Sequence, residues 1–436
     1  MKSNFIENLR LAGFPLGLGL TSVLVSGTLN RVMIVEMGIP ATLAGLFYAL
    51  PLLISPLRVW LGYRSDAYPI WGLRREPLII FGSLLAGLGV AGATLTLVRS
   101  DHLSLLILSV LIGGFIIYGF GRNLSSNTFE ALLADKFIGD QRPRAVTFYK
   151  VAMFVGIMLG ALLLGRFLDP FTEMRLLVIV TATAAGALLL SVLGIIRQEP
   201  RDAGIQIESQ EARSTAFWTT FKTMIWSDPQ IRRFFIFVMV TVIGTMAQDV
   251  LLEPYAALVL NMTVGETTRL TAIWGAGTLL SMGAAGAWLI KRFGYVQVMR
   301  VGLVLGVIIF LGLILAGAFF LTEAFLVLVF FLGVSTGLAA SGMLSAVIDF
   351  TTAERAGLLM GLWGVAHNVG QAVGNLVGGA VVDLVQALQG DALTAYGLVF
   401  ALEAILLLAA LLLLNSVKIT ESRIFTTRHH QEFDTL

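Results

Sequence analysis

The sequence predicts an all-α integral membrane protein of about twelve transmembrane helices in two six-helix halves, and three observations carry that expectation. The chain of 436 residues is 57% hydrophobic and only 13% charged, about half the charge of a water-soluble chain, so water cannot solvate its surface. Runs such as 78–98 and 176–196 hold no charged residue at all and are long enough to cross a hydrocarbon core, which takes about 20 apolar residues. Polar signatures also recur at about half the chain length.

The elements follow from apolar runs and their charged or turn-forming breaks. The first half has spans near 11–30, 43–61, 78–98, 103–122, 146–168 and 176–196, and the second near 234–260, 270–290, 301–321, 324–348, 357–382 and 393–414. The first run, behind Lys2 and Arg10, is too long for a signal peptide and lacks a small-residue cleavage site, so it reads as an uncleaved span. The expected organisation is a bundle over 1–196, a connecting loop over 197–233, a second bundle over 234–415 and a tail over 416–436. Trp218, Phe221 and Trp226 give the connecting loop an amphipathic segment suited to a membrane surface.

Basic residues set the expected orientation. With loops assigned alternately to the two sides, 21 of the 29 Lys and Arg fall on the side of the termini, and Arg31, Arg99, Arg166, Arg175 and Arg269 on the other. Basic loops stay inside, so both termini are expected in the cytoplasm. The net charge of +2 is too small and too dispersed for nucleic-acid binding. No cysteine is present, which excludes disulfides and thiolate chemistry. Neither a nucleotide-binding glycine loop nor a zinc-type His and Glu helix occurs, so no enzyme is expected.

The repeat is most telling near the first and seventh spans. Asn30, Arg31 and Glu36 stand against Gln248, Asp249 and Glu253, at offsets of 218, 218 and 217 positions. A glycine-to-basic loop likewise follows the second span, at Gly62 and Arg64, and the eighth, at Gly286, Lys291 and Arg292. Parallel repeats of this kind describe the major facilitator architecture, whose binding site lies between the halves.

Charges at membrane depth cost a few kcal/mol and need a partner, a cavity or the interface. Those in or near spans are Arg31, Glu36, Arg58, Arg122, Glu130, Lys150, Asp249, Glu253, Asp349 and Glu403, and Arg122 with Asn123 makes the inner end of the fourth span polar. Arg31 and Asp249, at matching depths, are expected to face each other, with separate solvation in the headgroup zone as the alternative. Gly62, Arg64, Asp66, Arg74 and Arg75 resemble the conformational loop of major facilitator proteins; Ile290 replaces the acid in the second half. His367, beside Asn368 and Gln371, is the histidine within a span, either a macrocycle ligand or a helix-packing residue.

The strings 29–36 (LNRVMIVE), 62–66 with Arg74 and Arg75, and 248–255 (QDVLLEPY) closely resemble signatures of the PucC/LhaA family, the (bacterio)chlorophyll-delivery branch of the major facilitator superfamily. The resemblance extends over nearly the whole chain, and segment 119–150 is more similar to the branch in oxygenic phototrophs. It implies a membrane assembly factor that binds chlorophyll or bacteriochlorophyll and delivers it to light-harvesting or related chlorophyll-binding subunits. It further implies chlorophyll-synthesis enzymes as partners and a multi-pass location in a photosynthetic (thylakoid or intracytoplasmic) or plasma membrane of a phototroph. The alternatives are a proton-coupled secondary transporter and a pigment-free scaffold for antenna assembly.

Pigment or cavity candidates are Asn30, Arg31, Glu36, Arg122, Asn123, Gln248, Asp249, Glu253 and His367. Magnesium prefers oxygen donors, so Asn30, Glu36, Asn123, Gln248 and Glu253 are candidate ligands of the pigment metal beside His367.

Overall fold

Charge-poor segments of this length have one stable form in lipid, the helix, because every backbone amide must be satisfied within its own segment. The computed structural model describes residues 5–55, 57, 70, 72–100, 104–137, 141–199, 229–350, 356–389 and 391–416. Among these, eleven helices are long and apolar enough to span a bilayer. They are α1 (Asn8–Glu36), α3 (Glu76–Val98), α4 (Leu105–Leu133), α5 (Phe148–Phe167), α6 (Glu173–Ile195), α7 (Arg232–Leu260), α8 (Val264–Phe293), α9 (Tyr295–Ala318), α10 (Thr322–Val347), α11 (Trp363–Leu388) and α12 (Ala392–Ser416). Between α1 and α3 lies a shorter apolar helix, α2 (Ala41–Leu53), and most of the remainder of its expected span lies outside the described residues. Each of the twelve expected spans thus holds a helix among its described residues. Gly62, Arg64 and Asp66, the connecting loop 200–228 and the tail also lie outside those residues.

The chain forms two compact units, one of 1–215 with 249–275 and one of 216–248 with 276–436. The expected halves do not coincide with these units, because the end of α7 and the start of α8 pack with the first six helices. Within the first unit α3 packs on α4 and α6, α1 on α5 and α6, and α2 on α4. The second unit repeats that order: α9 packs on α10 and α12, and α7 on α11 and α12. The counterpart of the α2–α4 contact is α8 on α10, where Thr278 Oγ1 donates to Gly333 O at 3.2 Å.

Aromatic side chains fill the end of the first unit that carries the N-terminus. Phe14 lies 4.6 Å from Phe129, and Phe129 meets Tyr149 edge-on at 5.6 Å, so α1, α4 and α5 share one core. In the second unit Phe310 stacks on Phe400 at 6.0 Å, joining α9 to α12. Other apolar side chains point outward, Leu88, Leu193, Val301 and Leu412 among them, as suits a surface solvated by acyl chains.

A reciprocal clasp closes that same end. The Glu199 carboxylate accepts from the amides of Arg74 at 2.8 Å, Arg75 at 2.7 Å and Glu76 at 3.2 Å, the unpaired start of α3. The Glu76 carboxylate in turn accepts from the amides of Arg197, Gln198 and Glu199, at 3.0, 2.5 and 2.6 Å, just beyond α6. Each acid caps the other's chain segment, serving groups that a helix start and a turn leave open. Arg10 donates to the terminal carbonyls of α6, Leu193 O at 3.1 Å and Ile196 O at 2.9 Å, and Arg75 Nε donates to Asp135 Oδ2 at 2.9 Å.

Candidate functional site

The far part of α1 departs from regular α-helix. Residues 24–29 and 32–36 are wound as π turns, with the i to i+5 spacing that marks functional segments in many helices. The expected span ends at Asn30, whereas the helix continues to Glu36 and carries Arg31 and Glu36 inside it. Arg31 Nη1 pairs with Glu36 Oε1, five positions on. In a regular α-helix those side chains diverge; the wider π turn brings them onto one face. Arg31 thus has an ion-pair partner in its own helix, and its charge also reaches Glu253 of α7.

Asn30 is buried, and its Nδ2 donates to the backbone oxygen of Val250 in α7. The reason lies four residues further along α7: Pro254 has no N–H to offer Val250 O. A proline thus opens a carbonyl that an asparagine 220 positions away fills. Beside it, Glu253 is 4% exposed, and its Oε1 accepts from Thr271 Oγ1 of α8 at 2.9 Å. Gly27 makes room for this carboxylate, since a Cβ there would overlap Oε1.

Four buried polar atoms in this neighbourhood have no hydrogen-bond partner: Thr28 Oγ1, Asn30 Oδ1, Arg31 Nε and Glu253 Oε2. A buried group left so costs about 1–3 kcal/mol, and such a cluster marks a place where stability is not the only demand. Among the described residues, no three His, Asp or Glu side chains gather as a metal-ion site.

A second polar patch lies nearer the middle of the first unit. Arg122 Nη2 donates to Ser22 Oγ at 3.3 Å. Buried Tyr48 is within electrostatic reach of Arg122, Tyr118 and Asp249 and stands beside Ser26. Arg122 and Asp249 thus act on one phenol from α4 and α7. Asn123, one residue along, holds helices together: its Nδ2 donates to Gly119 O and Pro51 O, both at 2.8 Å. The Pro51 oxygen is available because the Ser55 amide turns to Leu52 O at the frayed end of α2.

The structure therefore brings Asn30, Arg31, Glu36, Arg122, Asn123, Asp249 and Glu253 into the first unit. Gln248 and His367 belong to the second. There α7 breaks at Ala247, and the freed Gln248 amide donates to Glu403 Oε1 of α12 at 3.0 Å. His367 stacks on Trp363, with ring centroids 5.6 Å apart. Arg74 and Arg75 take part in the clasp. Sequence reasoning missed Glu76, Asp135, Glu199, Tyr48 and Thr271. The first three carried a readable signal, an acid directly before Pro77 or Pro200 or a basic neighbour such as Lys136 at a span end; the phenol and the hydroxyl carried none.

A duplicated α-helical bundle with a few buried ionic groups defines a membrane protein of the major facilitator fold. Solved structures agree: a nucleoside transporter, NupG, superposes with a TM-score of 0.75 at 13% identity, covering 94% of this chain and 99% of that one. The Escherichia coli xylose transporter XylE superposes with 0.66 at 15% identity, covering 94% and 95%. The chain belongs to the PUCC protein family, whose model matches residues 28–422. Among its relatives, Protein PucC of Rhodobacter capsulatus is 32% identical, with 92% of this chain and 90% of that protein covered. A protein of the same organism named bacteriochlorophyll synthase 44.5 kDa chain is 33% identical, covering 96% of each. Protein PucC of Cereibacter sphaeroides is 29% identical, covering 91% and 88%.

Proposed function

We propose that this protein is an assembly factor of photosynthetic membranes that binds chlorophyll or bacteriochlorophyll and hands it to newly inserted light-harvesting or related chlorophyll-binding subunits. The observation that carries the reading is membership of the PUCC family over residues 28–422; relatives named for PucC and for bacteriochlorophyll synthesis support it. Family and fold point to a non-enzymatic membrane protein, so the word synthase in one relative's name is not taken as an activity of this chain. Chlorophyll-synthesis enzymes are natural donors of such a cargo.

A macrocycle with a long apolar tail is best moved within the membrane, where it meets no water. Its magnesium takes hard oxygen donors. Asn30 Oδ1 and Glu253 Oε2 fit that chemistry best, each a buried oxygen with no hydrogen-bond partner. Asn123 fits less well, because its Oδ1 is not among the buried oxygens left without a partner, and Glu36 is held by Arg31. Arg122 and Tyr48 supply donors suited to peripheral carbonyls of a tetrapyrrole, with Asp249 within reach of the phenol.

The test is extraction and absorption spectroscopy of the protein purified from a phototroph. Bound pigment with co-purifying antenna subunits is the expected result, whereas antenna subunits without pigment identify a scaffold. Asp249→Ala is expected to reduce antenna content several-fold while the protein's own membrane level changes little. Normal antenna content in that variant removes Asp249 from the functional set. A second reading, a proton-coupled transporter, is favoured by the carboxylates of Glu253 and Glu403 buried within membrane helices; proton-linked solute uptake by vesicles containing only this protein would establish it.

A further inference from the structure

Arginines on the side opposite the termini run against the bias that keeps basic residues inside, so each invites a reason. Three of the five gather at one corner of the first unit. Arg166 ends α5, Arg175 lies in the first turn of α6, and the Arg269 side chain passes over Gly165, where a Cβ would stand 3.3 Å from Arg269 Cγ. All three are exposed, and none meets a carboxylate at ion-pair distance among the described residues.

Two nearby acids are hydrogen-bonded to Thr263. Asp169 accepts from Thr263 Oγ1 at 3.2 Å, and Glu266 Oε2 accepts from the Thr263 amide at 2.8 Å. Arg175 Nη1 reaches Pro170 O at 2.9 Å, which fixes the guanidinium over the turn between α5 and α6. Arg166 and Arg175 line a groove of about 450 Å³ whose walls also include Asp169, Phe167, Met174 and Val178. The last three are 59%, 66% and 59% exposed, so the groove carries bare apolar surface next to cationic groups.

We infer that this corner is a binding site for an anionic phospholipid, its phosphodiester held by Arg166 and Arg175 with Arg269 alongside, and its chains lying on Phe167, Met174 and Val178. Guanidinium groups present paired donors matched to phosphate oxygens. Basic pockets between membrane helices recognise headgroups by this chemistry. A soluble phosphate would use the arginines and leave the apolar wall unexplained. The site is independent of pigment handling.

The test is native mass spectrometry of the detergent-purified full chain titrated with phosphatidylglycerol or phosphatidylcholine. The unaltered protein should retain phosphatidylglycerol about tenfold more strongly, the worth of one charge-assisted hydrogen bond. The triple variant Arg166→Gln, Arg175→Gln, Arg269→Gln should bind the two lipids equally. Arg166→Gln and Arg175→Gln singly, at exposed positions that do not threaten folding, should each lose part of the preference, and Arg99→Gln none. Undiminished preference in the single variants overturns the proposal. So does displacement of phosphatidylglycerol by inorganic phosphate at equal concentration, which would mark a site for the free ion.

Discussion

Asn30 gives the most direct residue-level test, because its partner exists only through a proline. Asn30→Ala strands the Val250 carbonyl and is expected to cost about 1–3 kcal/mol, read as a lower melting temperature in detergent. Pro254→Ala returns an N–H to that carbonyl. In its background Asn30→Ala should cost less by about 1 kcal/mol, measured as a double-mutant cycle. Additive losses would show that the bond between Asn30 and Val250 contributes nothing. Gly27 is the other sensitive position: Gly27→Val drives a side chain into Glu253 and is expected to destabilise by about 1–3 kcal/mol. Gly92→Ala, at a position open on all sides, should be silent in the same melting assay.

At the scale of elements, the caps decide how helices begin. Glu199 supplies from a distance the cap that Arg75, at the head of α3, does not provide. Glu199→Ala is expected to cost about 1–2 kcal/mol and to hasten proteolysis near residue 75. Combining it with Glu76→Ala should cost less than the two singly, since each loss loosens the other's segment. Asp391, outside the spans, caps α12: the Thr394 hydroxyl at 2.5 Å, then the Thr394 amide at 3.0 Å and the Leu393 amide at 3.2 Å, hold its carboxyl below the usual aspartate range. A depressed pKa means that the cap is complete above the unfolded value, about 4, and is lost as pH falls through the folded value. Amide exchange at Leu393 and Thr394 should therefore rise, relative to other amides, as the solution is acidified below about pH 4.

Over the whole molecule, the spans were legible because lipid imposes a length and forbids charge, and those constraints are written residue by residue. The repeat of polar positions on α1 and α7 was legible for a related reason, since buried polar groups in an apolar run stand out. What they bond to was not. The π turns that let Arg31 reach Glu36 are marked by no composition rule. The assignment of Asp249–Gly275 to the first unit was equally hidden, because periodicity shows where a helix runs but not which neighbours it chooses.

That discontinuous first unit has a consequence for how the protein is made. Helices inserted from the ribosome in order can close the Glu76 and Glu199 clasp as soon as residue 199 has emerged. The bond from Asn30 and the place beside Gly27 must wait until α7 and the start of α8 have been synthesised. A nascent chain arrested after residue 199 should therefore already resist protease at its clasp, while α1 still holds an exposed amide and a gap that only later translation fills.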